Sequence, residues 1–114
     1  MDTLLLSQSE VKKLLSMSDF VEITDKTFRG MGEQTVINPT KIRLNLGENG
    51  DYPNHPGGMN CMPAYVGWQD IAGIKWIGSM LTRKELGLPI INGMILLADP
   101  NYLNFVAVVD GTFI

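Results

Sequence analysis

The stretch Ile71–Gly78 constrains the fold of this chain more than any other segment. Seven of its eight residues are apolar or glycine, and Lys75 is the exception. A run of this length and composition predicts a β-strand that is covered on both faces. Because side chains alternate across a strand, Lys75 shares a face with Ile71, Gly73 and Ile77. We therefore expect an interior strand with a cation on one of its faces.

The positive charge of Lys75 needs a physical explanation. An ammonium group taken out of water is costly unless it loses its proton or meets an anion. An acid on the same face would satisfy it, and that acid is either one of the chain's own carboxylates or the carboxylate of a ligand. Alternatively, a lysine near a strand edge can extend its head group to solvent and needs no partner.

Composition indicates one globular domain, residues 1–114. Of these residues 45% are hydrophobic and 18% are charged, and the formal net charge is -3. Such a chain lacks the basic patch that is typical of proteins binding nucleic acid or anionic membranes. No apolar run approaches the roughly 18 residues of a membrane-spanning helix. The single cysteine, Cys61, excludes an internal disulfide. We expect a cytoplasmic protein with neither nucleic acid nor a membrane as partner.

Two helices are predicted near the N-terminus. Ser7 precedes Glu10 by three residues, the spacing of a capping box, and this pair predicts the start of the first helix. Asp19 and Glu22 repeat the spacing. The apolar residues that follow recur at helical intervals, so a second, amphipathic helix is expected to end near residues 30–32.

Alternating or continuous apolar patterns predict strands in much of the remaining chain. The segments with such patterns are 3–6, 36–37, 41–46, 59–66, 71–78, 90–98 and 105–110. In the segment 41–46, Ile42, Leu44 and Leu46 are expected to face inward. Residues 47–58 hold four Gly and two Pro, and are expected to form a loop that borders a site. The sum is an α+β domain, with two helices packed on a mostly antiparallel sheet of five or six strands.

Common catalytic signatures are weak in this sequence. Gly30-Met31-Gly32 begins like a dinucleotide-binding fingerprint, but it lacks the third glycine and follows a predicted helix, so we interpret it as a helix end. His55 is the only histidine and lies on a predicted loop without visible partners for a metal or a catalytic couple. Cys61 is expected to be a small buried hydrophobe. We therefore assign neither a catalytic residue nor a metal ligand.

Arg43 is the second candidate for binding chemistry. It lies on the polar face of the predicted strand 41–46, and a guanidinium group there can bind a carboxylate through two parallel hydrogen bonds. The alternative is an arginine on a solvated strand face. The residues alone thus indicate an α+β domain with a candidate site for a small acid.

Five further segments occur in a characteristic order and spacing. They are Met62-Pro63-Ala64-Tyr65, Gly73-Ile74-Lys75-Trp76-Ile77-Gly78, Gly87-Leu88-Pro89, Leu96-Leu97-Ala98-Asp99-Pro100 and Ala107-Val108-Val109-Asp110-Gly111-Thr112. Together they resemble the ornithine cyclodeaminase and mu-crystallin family. The resemblance covers essentially the whole chain, including the opening residues 7–15.

This resemblance implies homodimeric enzymes that use NAD or NADP to act on α-amino acids or cyclic imines. Members include cyclodeaminases, amino-acid dehydrogenases and ketimine reductases. Their first part is a substrate-binding and dimerisation domain, and a Rossmann domain follows it. By resemblance, Arg43 and Lys75 hold the substrate carboxylate, and Asn60 and Met62 also belong to the substrate site. Asn60 stands where ornithine cyclodeaminase has an acid directed at the substrate amine, which argues against ornithine.

The resemblance also implies that the cofactor-binding part lies outside these 114 residues. The family's glycine-rich phosphate loop, its catalytic Asp and a third Arg come after the position of Ile114. We therefore expect this chain to be the N-terminal substrate-binding and dimerisation domain, without bound cofactor and inactive alone. The alternatives are a non-catalytic, mu-crystallin-like binding or structural protein and a truncated fragment that only dimerises.

Overall fold

A computed structural model describes residues 2–46 and 55–114 of the chain. In chain order the elements are β1 Leu4–Leu6, α1 Gln8–Leu14, α2 Met17–Gly32, β2 Val36–Ile37, β3 Ile42–Leu46, β4 Gly57–Val66, β5 Ile71–Met80, a 3₁₀ helix Leu81–Leu86, β6 Ile91–Asp99 and β7 Asn104–Asp110. The predicted α+β class is confirmed. Of the predicted loop 47–58, residues 47–54 lie outside the described residues, and Gly57 and Gly58 belong to β4.

The strands form one sheet in the order β1-β7-β6-β5-β4-β2, with β3 also paired to β4. Among the described strand pairs, β1–β7 is parallel and the others are antiparallel. The count exceeds the predicted five or six because the short segments β1 and β2 both pair. β1 joins the last strand of the chain, a contact between sequence ends that local periodicity cannot predict.

Pro63 lies within β4 without disturbing the sheet. β3 pairs with Gly57–Cys61, and β2 pairs with Tyr65 and Val66. Pro63 therefore falls in the interval between these two neighbours, where no ladder hydrogen bond is required of it. On its other side it lies opposite Ile74 of β5. The strand has an unpaired edge at this point, and an unpaired edge is a position where a sheet tolerates proline.

Both helices begin with a capping box. The backbone amide of Ser7 donates to the Glu10 carboxylate at 2.8 Å, and that of Ser16 donates to Asp19 at 2.7 Å. The second box was predicted at Asp19 and Glu22, and this prediction is wrong by three residues. Ser16 is the N-cap and accepts a hydrogen bond from the Asp19 amide at 3.3 Å. Glu22 instead pairs with Lys26 one turn later, at 2.8 Å.

The capping carboxylates make the two helix starts sensitive to acid. The serine hydroxyls, and then the serine amides, lower the pKa of Glu10 and of Asp19. A carboxyl group with a lower pKa in the folded state adds stability that is present above its unfolded pKa and is lost as the pH falls through the folded pKa. We expect the melting temperature, Tm, to decrease when the pH is lowered below about 4. In the double variant Glu10→Gln/Asp19→Asn, this decrease in Tm should be smaller. Circular dichroism melts between pH 3 and pH 7 test this, and identical pH profiles would contradict it.

Gly30 allows β2 to pack closely on α2. A Cβ atom at position 30 would lie 2.7 Å from Val36 Cγ2, whereas one at Gly32 would meet nothing within 4 Å. Alanine gains up to about 1 kcal/mol of helix propensity at either site, but overpacking costs about 1–3 kcal/mol only at Gly30. We expect Gly30→Ala to be less stable than Gly32→Ala by about 1–2 kcal/mol. Urea unfolding measures this difference, and equal midpoints would contradict the packing argument.

The helices cover one face of the sheet. Val11 of α1 is buried against Ala107 and Val109 of β7. Val109 pairs with Ile95, and Ile95 pairs with Lys75. Residues directly opposite each other in a sheet point to the same side. We call the side that carries Lys75, Ile95 and Val109 the inner face.

The opposite side, which we call the outer face, is apolar and open. It carries Ile42, Leu44, Trp76 and Met94, which are between 48% and 71% exposed. Ile42 and Leu44 were predicted to face inward, and Ile71–Gly78 was predicted to be covered on both faces. Both predictions are wrong for this chain, because α1 packs only on the inner face. An apolar pattern shows that a face avoids water, but does not show what covers it.

The chain exposes more surface than a compact domain of its mass. Its accessible area is 8405 Å², and its radius of gyration is 16.1 Å. A compact monomer of this size is expected to expose about 6,200 Å² and to have a radius of gyration of about 13 Å. The excess agrees with an apolar face that another surface can cover.

Candidate functional site

The four site residues predicted from the sequence lie on the inner face. Arg43 pairs with Asn60 across β3 and β4, and Met62 pairs with Lys75 across β4 and β5. Asn60 and Met62 are two residues apart on β4, so their side chains leave the sheet on the same side. We call these four residues the inner-face patch.

Strand geometry sets the distance across the inner-face patch. Arg43 and Lys75 are two strands and two residues apart in the register. With about 4.8 Å between strands and about 3.3 Å per residue, their Cα atoms are about 12 Å apart. Extended Arg and Lys side chains each span about half of that distance. A carboxylate bound by both would therefore lie above Asn60 and Met62.

Lys75 is partly buried, and its ammonium group contacts the last residue of the sequence. Its Nζ donates to the main-chain oxygen of Ile114 at 2.9 Å, which in a chain of these 114 residues is a carboxylate oxygen. The ion pairs found within residues 2–46 and 55–114 join Lys26 to Glu22 and Arg29 to Asp25 and do not include Lys75. An ammonium group has three donors, so two remain for another acceptor. Within the described residues, no Asp or Glu side chain forms an ion pair with Lys75.

The Arg43 side chain points away from Lys75. Its Nε donates to Asn45 Oδ1, two residues further along β3. A Cβ atom placed on Gly58 would lie 3.5 Å from Arg43 Nη2, so the guanidinium group lies toward that glycine. The structure places Arg43 and Lys75 on one face but does not bring their head groups together. Rotation of the Arg43 side chain would be needed to reach the space above Asn60.

A cleft of about 520 Å³ lies beside Arg43, where β3, β4 and β5 come together. Its polar lining residues include Arg43, Asn45, His55 and Ser79. Lys75 does not line it. Sequence reasoning treated His55 as a solvated loop residue and missed its place beside Arg43. Because pairing of β3 with β4 creates this neighbourhood, no local pattern could have indicated it.

Asn60 is a buried polar residue with an unsatisfied atom. It is 7% exposed, and within the described part of the chain its Oδ1 has no hydrogen-bond partner. A buried acceptor without a donor costs about 1–3 kcal/mol, and such groups are uncommon in folded proteins. An N–H group next to a carboxylate bound at the inner-face patch would supply the missing donor.

The described residues do not fit a dinucleotide. Gly30, Met31 and Gly32 form the last turn of α2, so they are not the glycine-rich turn between a strand and a helix that binds a pyrophosphate. No other glycine-rich turn of that kind occurs in the described elements. We therefore derive no reaction step through NAD from this chain.

Other site classes find little support in the described segments. No group of three His, Cys, Asp or Glu residues there is placed to hold a metal ion. In the same segments, no helix combines the length and apolar character required to cross a membrane. Among the described residues, the candidate binding chemistry therefore lies in the inner-face patch and its neighbouring cleft.

Comparison with known proteins shows relatives over nearly the whole chain. Alanine dehydrogenase of Archaeoglobus fulgidus is 31% identical over 113 residues, which are 99% of this chain and 32% of that protein. The nodulation efficiency protein NfeD of Rhizobium meliloti is 31% identical over 110 residues, which are 96% of this chain and 32% of that protein. The chain thus spans about a third of the length of these relatives.

Two solved structures also match nearly the whole chain. An archaeal alanine dehydrogenase dimer with bound NAD is 29% identical and superposes with a TM-score of 0.85, over 99% of this chain and 32% of that one. The Δ(1)-pyrroline-2-carboxylate reductase of Thermococcus litoralis, solved with NADH and L-proline, is 27% identical with a TM-score of 0.89, over 97% of this chain and 32% of that one. The model of the ornithine cyclodeaminase/mu-crystallin family matches residues 1–114. This chain therefore belongs to the ornithine cyclodeaminase/mu-crystallin family.

Proposed function

We propose that this chain is the substrate-binding and dimerisation part of a cytoplasmic, NAD- or NADP-dependent enzyme that acts on small α-amino acids or cyclic imino acids. One observation carries the proposal. Lys75 is a partly buried cation on an interior strand, and its described hydrogen bond goes to the main-chain oxygen of the last residue, Ile114. A partly buried ammonium group favours an anionic partner, and the carboxylate of a ligand can take that place.

The inner-face patch would bind and orient such a ligand. Lys75 donates to the carboxylate, and Arg43 leaves Asn45 to form a two-pronged contact with the same group. Asn60 Oδ1 then accepts the N–H of the ligand, and Met62 supplies an apolar wall. A neutral amide cannot pair with a second ammonium group as a carboxylate does, so ornithine is a poor candidate. The redox step would belong to a nucleotide-binding part outside the described residues, and we expect residues 1–114 alone to bind no cofactor and to be inactive.

The proposal includes a homodimer formed through the outer face. Large apolar side chains are exposed there, among them Ile42, Leu44, Trp76 and Met94, and the accessible area of the chain exceeds that of a compact monomer. A related alanine dehydrogenase was solved as a dimer. A second copy of the outer face is apolar in the same way, and two such faces can exclude water from each other.

A titration with matched ligands tests carboxylate binding. We expect L-proline to shift the amide signals of Met62, Lys75 and Ile95 in nitrogen-15 spectra of this chain. Pyrrolidine, which is proline without its carboxylate, should leave those signals in place. Equal effects of the two compounds, or no effect of L-proline, would contradict the proposed site. An assay of NAD(P)-dependent oxidation of L-alanine and L-proline, with the polypeptide of the complete reading frame, tests the activity.

A further inference from the structure

The cleft beside Arg43 continues the inner-face patch along β3, β4 and β5. Asn45 pairs with Gly58, and Gly58 pairs with Ser79, so these three residues form one row across the three strands. Arg43 and Asn60 belong to the neighbouring row on the same face, two residues along each strand. Residues directly opposite each other point to the same side of a sheet. The cleft therefore opens beside the place above Asn60 where the proposed ligand would lie.

Gly58 forms the floor of the cleft. It is buried, and it places no side chain between those of Asn45 and Ser79. A Cβ atom at position 58 would lie 2.8 Å from the carbonyl oxygen of Leu44 and 3.5 Å from Arg43 Nη2. A larger residue there would press on the backbone of β3 and on the guanidinium group. The glycine thus leaves a space that a ligand group can enter.

The polar groups around the cleft offer hydrogen-bond donors to an anion. Arg43 uses its Nε on Asn45, and the two Nη atoms carry four further N–H groups. The imidazole of His55 and the hydroxyl of Ser79 form no hydrogen bond within the described residues. Of the described residues that line the cleft, none is an Asp or a Glu. A cleft of about 520 Å³ with this lining suits an acidic group of a small molecule.

We infer that the cleft binds the side-chain carboxylate of a dicarboxylic α-amino or imino acid. Lys75 takes the α-carboxylate, as in the proposed function on which this inference rests. Arg43 takes the second carboxylate from its observed position, and His55 and Ser79 donate to the same group. A ligand with one carboxylate requires Arg43 to leave Asn45, whereas a ligand with two requires no such movement. The observed orientation of Arg43 is then a binding position.

Strand geometry sets the length of this ligand. Asn60 and Gly58 are two residues apart on β4, so the spaces above them are about 6.6 Å apart. The carboxyl carbons of L-glutamate are four bonds apart, and they are separated by about 5 Å when the chain is extended. The carboxylate oxygens cover the remaining distance. L-glutamate therefore reaches both positions better than L-aspartate, whose carboxyl carbons are only three bonds apart.

A series of matched ligands tests this inference in nitrogen-15 spectra of this chain. L-glutamate, L-glutamine and L-norvaline share the α-carboxylate and the α-ammonium group, but only L-glutamate has a second carboxylate. We expect L-glutamate to bind at least about tenfold more tightly than the other two, because a hydrogen bond to a charged group is stronger than one to a neutral group. Equal Kd values for L-glutamate and L-norvaline would overturn the inference.

The spectra also locate the ligand. We call the amide signals of Gly58 and Ser79 the cleft signals, and those of Met62 and Lys75 the patch signals. L-glutamate should shift both sets, because it reaches from one position to the other. Cleft signals that stay in place at saturating L-glutamate would overturn the inference.

Two variants identify the groups that bind the second carboxylate. His55→Leu and Ser79→Ala each remove one polar group of the cleft, and each should raise the Kd for L-glutamate about fivefold to tenfold. The Kd for L-norvaline should stay within about twofold of the wild type. Ser9→Ala, which changes an exposed serine of α1, is the control and should leave both values unchanged. His55 is exposed, so His55→Leu provides the test if Ser79→Ala unfolds. An equal rise for both ligands would overturn the inference.

Failure of this inference is distinguishable from failure of the proposed function. If L-proline and L-norvaline shift the patch signals while L-glutamate binds no more tightly than L-norvaline, the inference fails and the proposed function stands. If L-glutamate shifts the cleft signals while none of the ligands shifts the patch signals, the proposed function fails and the cleft stands as a binding site for an acid.

Discussion

Replacing Lys75 with methionine is expected to reduce kcat/KM for amino-acid oxidation by at least about 30-fold in the polypeptide of the complete reading frame. Removing one partner of a buried, hydrogen-bonded charge pair costs about 2–5 kcal/mol, and every 1.4 kcal/mol is a factor of about ten. Methionine keeps an unbranched apolar side chain on β5, so the sheet should fold normally. Steady-state rates of NADH or NADPH formation with L-alanine and L-proline provide the measurement.

Two comparisons show whether the loss is specific. Lys84→Met removes an exposed lysine from the 3₁₀ helix Leu81–Leu86 and should retain wild-type kinetics. Lys75→Met itself should keep the melting profile and the oligomeric state of the wild type. Near-normal kcat/KM in Lys75→Met would refute the binding role of this residue. A loss of activity accompanied by unfolding would instead assign Lys75 a structural role.

The substitution Trp76→Glu is expected to dissociate the proposed dimer. Trp76 lies directly opposite Met94 on the outer face, and both side chains are 48% exposed in the single chain. Burial of an unpaired carboxylate between two apolar faces costs several kcal/mol. We therefore expect the dimer Kd to rise at least about 100-fold. Light scattering at micromolar to tens of micromolar chain concentration measures the mass.

Val21→Glu is the control for this prediction, because Val21 is an apolar residue of α2 that is 63% exposed and does not belong to the sheet. It should leave the dimer intact. A strictly monomeric wild-type chain at tens of micromolar would contradict the proposed interface. Dissociation by Val21→Glu but not by Trp76→Glu would move the interface from the sheet to the helices.

The element types could be predicted from local patterns because those patterns are governed by local physics. Period-two alternation places Lys75 with Ile71, Gly73 and Ile77, and the observed register keeps them on the inner face. The Ser7–Glu10 spacing marks a helix start, since both partners of a capping box lie within one turn. The same spacing also explains why the second capping box was assigned wrongly. Two pairs, Ser16 with Asp19 and Asp19 with Glu22, have the spacing of a box, and the structure uses the first pair.

The sequence by itself determined the α+β class, the strand that carries Lys75, and the family. The tertiary structure alone decided that the outer face is open, that the guanidinium of Arg43 lies toward Gly58, and that the ammonium of Lys75 contacts the main-chain oxygen of Ile114. The reason is physical. Periodicity reports which side of an element avoids water, but what covers a face, or which group satisfies a charge, depends on residues that only folding brings together.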